Sequence, residues 1–116
     1  MMDIDEEILV KILNNLLSNA TKYAADILSV KLGYAEGKEN AFMIEVTNDG
    51  HKIPFEMREQ IFKPFFRINK TSSLNGTGIG LSISRSLAEI NSGLLFLKEQ
   101  PDNLNTFVLI IPNAKN

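Results

Sequence analysis

The sequence predicts an α+β fold, a two-layer sandwich in which helices cover one face of a mostly antiparallel sheet. Two stretches carry apolar residues at three- and four-residue spacing, which is typical of amphipathic helices. Four short runs rich in β-branched and aromatic residues are typical of strands. Along the chain these features give helix, two strands, short helix, loop, helix and two strands.

The first helix is expected from about Asp5 to Ala24, with Asp3 or Asp5 as the capping residue and acidic residues in its first turn. Two strands follow, over residues 27–34 and 42–47. The short segment EGKEN separates them, so they are expected to pair as an antiparallel hairpin.

The second half of the chain repeats this alternation. The segment IPFEMREQIF predicts a short helix that ends near Phe62 and is stopped by Pro64. Residues 67–78 are polar and contain glycine, which predicts a loop. A second long helix and two strands complete the expected fold: Ile79 to Asn91 with Gly93 as its C-terminal stop, Leu94 to Lys98, and Thr106 to Ile111.

Composition limits the possible functions. With 116 residues, 44% of them hydrophobic, the chain suits one domain spanning residues 1–116. The 14 acidic and 12 basic residues form no basic stripe, which argues against nucleic acid as a main partner. The absence of cysteine excludes disulfides, zinc-thiolate sites and thiol nucleophiles. No apolar run approaches the ~20 residues of a membrane span, and the start MMDIDEE does not resemble a signal peptide, so no direct membrane contact is expected from this chain.

Polar residues interrupt the apolar pattern of the first helix along one flank. Asn15 and Asn19 are four residues apart, and Lys22 and Tyr23 lie three and four residues further on. Amide oxygens suit Mg²⁺, which takes one or two protein ligands and completes its shell with phosphates and water. A solvated helix face is the alternative interpretation.

Glycine-rich GTGIGL, residues 76–81, precedes the second long helix. Bare backbone N–H groups at a helix N-terminus form an anion site that side chains would block. A flexible loop is the alternative, and a dinucleotide-binding turn is disfavoured because no βαβ unit surrounds the glycines.

The segment VTNDGHKIP places Asp49 and Gly50 at the end of a predicted strand. A carboxylate there can accept a hydrogen bond from an exocyclic amine, and glycine allows a flat ring to approach the backbone. An ordinary Asn-Asp-Gly turn is the alternative.

Together these segments resemble the ATP-binding catalytic domain of sensor histidine kinases, within the GHKL superfamily that includes DNA gyrase B, Hsp90 and MutL. NNLLSNATKYA resembles the N-box, NDGHKIP the first glycine box, IFKPFFRI the F-box and GTGIGLSISRSL the second glycine box. The phrases IP and RSLAEI resemble hybrid two-component sensors of Bacteroides-type bacteria. The resemblance implies the Bergerat ATP-binding fold, with ATP and Mg²⁺ as ligands.

The resemblance also implies residue roles. Asn15, Asn19 and Lys22 would be catalytic, with Asn15 and Asn19 at the metal and Lys22 near the phosphates. Asp49 would accept from the adenine amine, while Phe62 and Phe65 would anchor the loop that folds over the nucleotide. The implied nucleotide-binding set is Asn19, Lys22, Tyr23, Asp49, Gly50, Ile53, Phe62, Phe65, Arg67, Gly76, Thr77, Gly78, Ile79, Gly80, Leu81 and Thr106.

The function implied by the resemblance is transfer of the ATP γ-phosphoryl group to a histidine in two-component signalling. Sibling ATPases have a water-activating glutamate where this chain has Asn15, so little hydrolysis is expected. The sole histidine, His51, lies in the predicted nucleotide-site turn, so the acceptor is expected on a separate phosphoacceptor domain, which then supplies a response regulator receiver domain. The chain is expected to be a cytoplasmic fragment of a longer, membrane-anchored sensor.

Two positions depart from the family pattern. Lys52 replaces a glycine of the first glycine box, and Asn105 stands where a glycine usually precedes Thr106 and Phe107. These departures predict an altered adenine pocket, but neither touches the metal or the triphosphate cradle, so nucleotide binding is expected to survive in weakened form. A non-catalytic interaction module of the same fold is the alternative function, favoured if Lys52 closes the pocket.

Overall fold

The computed structural model describes residues 4–34, 41–66 and 80–112. Their helices are α1 (Glu6–Tyr23) and α2 (Gly80–Ile90). The strands are β1 (Leu28–Tyr34), β2 (Ala41–Asn48), β3 (Leu94–Leu97) and β4 (Asn105–Pro112). They form one sheet in the order β1-β2-β4-β3, in which every neighbouring pair is antiparallel. The predicted α+β architecture is confirmed.

Helix α1 forms where the apolar spacing predicts it. The carboxylate of Asp5 accepts a hydrogen bond of 2.8 Å from the backbone N–H of Glu7, so Asp5 is the N-cap. Ile12, Leu16 and Ala20 lie one helical turn apart and are all buried. This stripe packs α1 onto the sheet and leaves Asn15 and Asn19, on its flank, half-buried.

Strand alternation gives the sheet two distinct faces. Buried Ile44 and Val46 of β2 stand opposite Leu109 and Phe107 of β4, and all four belong to the core beneath the helices. Thr106 belongs to the other face, where its hydroxyl lies 2.9 Å from that of Thr47. The helix layer therefore contacts one face only.

Edge strand β1 is poorly covered by this layer. Its alternate residues Leu28, Val30 and Leu32 share the core-side face with Asn48, Val46 and Ile44, their partners on β2. They are nevertheless 44%, 49% and 72% exposed, respectively. The well-packed part of the core therefore lies over β2, β4 and β3.

The prediction of one short helix in IPFEMREQIF is wrong in its detail. The structure has two single 3₁₀ turns, Phe55–Met57 and Gln60–Phe62, with Ile61 and Phe62 buried. Few residues lie between Pro54 and Pro64, and so short a segment gains little from forming an α-helix.

The C-terminal stop of α2 also differs from the prediction. Ser92 has the left-handed conformation, with φ of 65°, and Gly93 donates a 2.7 Å hydrogen bond to the Ala88 carbonyl. This is a Schellman motif in which Ser92 makes the reversal. Gly93 is needed for close packing, since a Cβ there would lie 2.6 Å from the Ile110 carbonyl oxygen.

Candidate functional site

The polar flank of α1 meets the start of α2. The side-chain nitrogen of Asn15 donates to the carbonyl oxygen of Gly80 at 3.5 Å. The nitrogen end of the amide therefore faces α2, which leaves its oxygen as the atom able to ligate a cation. Asn19 and Lys22 continue the same flank and are half-buried.

Gly80 is the first residue of α2, and its surroundings are open as far as the described residues show. A Cβ built at this position meets no protein atom of the described residues within 4 Å. Packing within the described part of the chain therefore does not require glycine here. The open volume suits a ligand that approaches the N–H groups at the start of the helix.

The residues just beyond the C-terminal end of α1 meet the turn that follows β2. Oδ1 of Asp49 accepts from the backbone N–H groups of Ala25 and Asp26 at 2.9 and 3.0 Å, and Oδ2 accepts from that of Asp26 at 3.1 Å. Hydrogen bonds from the backbone of Ile27, Asp26 and Ala25 lower the pKa of Asp49, that of Ile27 most strongly. Asp49 thereby holds its turn against the exit of α1.

Two buried amides lie beside this turn, and the sequence analysis gave neither a binding role. Asn48 and Asn105 face each other across β2 and β4, on the helix-covered side, and are 2% and 3% exposed. The sequence could have identified them, because each occupies a position where the alternation of its strand calls for a buried residue. Asn48, for example, follows Ile44 and Val46 at two-residue steps. A polar side chain in a buried phase of a strand needs a partner.

Several predicted site residues lie near these features. Gly50 donates its N–H to Oδ1 of Asn48 at 2.9 Å, Ile53 donates to Oδ1 of Asn105 at 2.8 Å, and both Ile53 and Leu81 pack against the core. Phe62 is buried, with its ring 6.2 Å from that of Phe107 in an edge-on arrangement.

The two phenylalanines predicted to anchor the loop, Phe62 and Phe65, differ in burial. Phe65 is 72% exposed and has a φ of 64°, so it does not anchor its segment in the core. Phe66 packs there instead. Phe62 is held further by Arg85, whose guanidinium lies 4.5 Å from its ring centroid and forms a two-point ion pair with Glu59.

Thr106 does not face the site. It lies on the sheet face opposite the helices, because alternation gives the helix-covered face to its neighbours Asn105 and Phe107. The prediction that Thr106 contacts the nucleotide is therefore not supported by its placement.

Part of the predicted site lies outside the described residues. This applies to Arg67, Gly76, Thr77, Gly78 and Ile79, and to the side chain of Tyr23, the last residue of α1. Within the described ranges, no group of three or more His, Cys, Asp or Glu side chains could hold a metal ion. Neither described helix has the length and apolar character of a membrane span.

Comparison with known proteins gives a consistent family. The family model for histidine kinase-, DNA gyrase B- and HSP90-like ATPases matches residues 4–115. The sensor-like histidine kinase SenX3 of Mycolicibacterium smegmatis is 36% identical over 110 residues, which cover 93% of this chain and 28% of SenX3. The chain thus spans about a quarter of the length of the curated relatives it matches.

Solved structures agree with the family model. The catalytic domain of histidine kinase ThkA, in a nucleotide-free form, superposes with a TM-score of 0.74 at 31% identity, covering 95% of this chain and 69% of that one. Full-length ShkA in complex with AMPPNP superposes with a TM-score of 0.77 at 22% identity, covering 100% of this chain and 24% of ShkA. The second likeness concerns the fold alone.

Proposed function

This chain belongs to the family of histidine kinase-, DNA gyrase B- and HSP90-like ATPases, and on that premise we propose that it binds Mg-ATP and donates the γ-phosphoryl group to a histidine. The acceptor histidine lies on a separate phosphoacceptor domain, from which the phosphoryl group passes to a response regulator receiver domain. The sequence relatives are sensor histidine kinases, which supports a kinase role over a purely hydrolytic one.

The arrangement around α1 carries this proposal. One end of its polar flank contacts the start of α2 through Asn15 and Gly80, and the other contacts the β2 turn through Ala25 and Asp49. Asn15 lies two turns before the C-terminal end of α1 at Tyr23, a rise of roughly 12 Å, and Ala25 follows just beyond the helix. A ligand with phosphates at one end and a base at the other fits such a site.

Asn15 and Asn19 would hold Mg²⁺, which neutralises phosphate charge when bound. Two amides fit this role because phosphate oxygens and water supply the remaining ligands, so a carboxylate cluster is not required. Lys22 would contact the phosphates from the last turn of α1. Gly80, with the preceding glycines 76 and 78, would leave room for the triphosphate.

The turn after β2 would bind the base. Both carboxylate oxygens of Asp49 already accept from the backbone of residues 25–27, so an exocyclic amine would have to share one of these oxygens. Asn48, buried on the helix-covered face beside it, is the other candidate for contact with the base. Gly50 and Ile53 would form the adjoining wall.

Position 15 decides between transfer and hydrolysis. The amide of Asn15 cannot take a proton from water, and its nitrogen already donates to Gly80. The domain therefore holds ATP without activating water, and the rate of transfer depends on bringing an acceptor into line. His51 is an exposed residue of the base-binding turn, which suits it poorly as that acceptor.

A non-catalytic interaction module is the alternative, and it would be favoured if Lys52 blocked the base pocket. The ammonium group of Lys52 instead donates to the carbonyl oxygens of Gln100 and Leu104, at 3.2 and 2.8 Å. The side chain thus extends toward the β3–β4 loop. This placement favours the nucleotide-binding function.

Incubation with γ-labelled ATP tests the proposal. The domain alone should release almost no phosphate. Adding the cognate phosphoacceptor domain should yield acid-labile, base-stable label on that domain, slowly in trans and faster when the two are tethered. Rapid phosphate release by the domain alone would indicate a hydrolase, and label on His51 would contradict the separate acceptor.

A further inference from the structure

The turn that follows β2 has little apolar packing over residues 49–52, before Ile53 returns to the core. His51 and Lys52 are exposed, and Asp49 and Gly50 are half-buried. Beneath it, Lys52, Ile53 and Leu104 help to line a cavity of about 20 Å³, room for about one water molecule. Polar contacts must therefore supply much of what fixes the turn.

Asn105 supplies several of these contacts from β4. Its Oδ1 accepts from the backbone N–H of Ile53 at 2.8 Å, and its Nδ2 donates to the carbonyl oxygen of His51 at 2.9 Å. Longer contacts of 3.4 and 3.5 Å reach Oδ1 of Asn48 and the carbonyl of Gly50. A carboxamide combines an acceptor and two donors in one small group, so it can bind both kinds of backbone atom.

Lys52 makes the reciprocal contact. Its Nζ donates to the carbonyl oxygens of Gln100 and Leu104 and lies 4.0 Å from the carboxylate of Asp102. Asp102 in turn accepts from the backbone N–H of Leu104 at 3.0 Å, which closes the loop on itself. The side chain of Asn105 thus connects β4 to the turn, and that of Lys52 connects the turn to the β3–β4 loop.

We infer that Asn105 and Lys52 are positioning residues for the base-binding end of the site. We call their hydrogen bonds, from Asn105 to the turn and from Lys52 to residues 100 and 104, the clasp. The inference rests on the proposed nucleotide site, since the clasped turn carries Asp49 and Gly50. The two positions where the sequence predicts a weakened pocket are therefore the ones whose side chains fix the backbone of this turn. The clasp does not contact Asn15, Asn19 or Gly80. Its loss should therefore weaken binding of the base without changing binding of the phosphates.

Hydrogen exchange without nucleotide tests the clasp itself. Asn105→Ala and the surface variant Lys52→Met should accelerate exchange of the amides of residues 50–53. Asn103→Ala, an exposed residue of the same loop, is the matched control and should leave that exchange unchanged. Asn105→Asp keeps the side-chain size and the acceptor for Ile53 but loses both donors, so it should accelerate exchange less than Asn105→Ala does.

Calorimetry with two probes tests the positioning role. In Asn105→Ala, ATP affinity should fall about tenfold, the equivalent of one net hydrogen bond. Affinity for magnesium tripolyphosphate, which lacks a base, should stay within about twofold. Unchanged exchange, unchanged ATP affinity, or an equal loss for both probes would overturn the inference. Failure of the unmodified domain to bind ATP would instead refute the proposed function, and the exchange experiment would still report on the clasp.

Discussion

At the scale of single residues, the neighbours Asn48 and Asp49 at the end of β2 place their side chains in two different environments. Asn48 lies among buried side chains under the helices, while the carboxylate of Asp49 accepts backbone hydrogen bonds at the exit of α1. Sequence patterns singled out Asp49, gave Asn48 no role, and could not assign the contacts of either residue. Those depend on where α1 ends in space relative to β2, which no local pattern encodes.

Asp49→Asn should alter the pH dependence of stability. The folded state lowers the pKa of Asp49, so its contribution is present above the unfolded-state pKa of about 3.9 and is lost as the pH falls through the folded-state value. The variant should be less stable than wild type at pH 7, and the difference should shrink on acidification. Urea unfolding at several pH values measures both.

Asp26→Asn is the matched control for that comparison, because Asp26 is an exposed neighbouring carboxylate whose backbone, not its side chain, contacts Asp49. It should retain the wild-type pH profile. Parallel stability curves for wild type and Asp49→Asn would show that the Asp49 contacts do not contribute.

Asn19→Ala should abolish the Mg²⁺ dependence of ATP affinity. The substitution removes an amide next to the proposed metal position, while alanine favours the helix more than asparagine does, so folding should be preserved. Titration calorimetry with and without Mg²⁺ gives the dependence. Asn14→Ala, an exposed position on the same helix, should behave as wild type. An equal Mg²⁺ effect in Asn19→Ala and wild type would remove Asn19 from the metal site.

At the scale of elements, periodicity predicted the helices and strands well, because burial on one face dictates their spacing. The turns were less predictable. Two 3₁₀ turns replace the expected short helix, and Ser92 makes the reversal expected of Gly93. In each case tertiary contacts decide: Ile61 and Phe62 must reach the core, and Gly93 must lie against the Ile110 carbonyl.

The first residue of α2, Gly80, is proposed to leave space for phosphate. Gly80→Ala distinguishes its effect on stability from its effect on nucleotide binding. A methyl group meets no described protein atom there, and alanine lowers the entropy of the unfolded chain, so stability should rise by roughly 0.4–1 kcal/mol. The same methyl group would occupy the space proposed for phosphate, so affinity for ATP and for tripolyphosphate should fall. Unfolding and binding measurements on one sample distinguish these effects.

Gly33→Ala is the matched control for that variant. A Cβ at Gly33 also meets nothing within 4 Å among the described residues, but the position lies in β1, away from the proposed site. It should leave nucleotide affinity unchanged. Undiminished ATP affinity in Gly80→Ala would show that the open space beside α2 is not used by the ligand.

At the scale of the whole molecule, α1 connects the site as well as the core. Its buried stripe packs on the sheet, and its polar flank joins the start of α2 to the turn after β2. The motif order in the sequence predicted that these segments would meet. The clasp of Lys52 and Asn105 was not predictable, because its partners are backbone atoms of a loop distant in sequence.

Thermal denaturation of the domain with Mg-ATP tests the central claim, nucleotide binding, most directly. At about 100 times its dissociation constant, a ligand of the folded state stabilises it by roughly 2.7 kcal/mol, a rise in Tm on the order of 10 °C for a domain of this size. Mg-ATP should produce this shift, and Mg-GTP should produce a smaller one if the turn after β2 reads adenine. A Tm unchanged by saturating Mg-ATP would contradict the account.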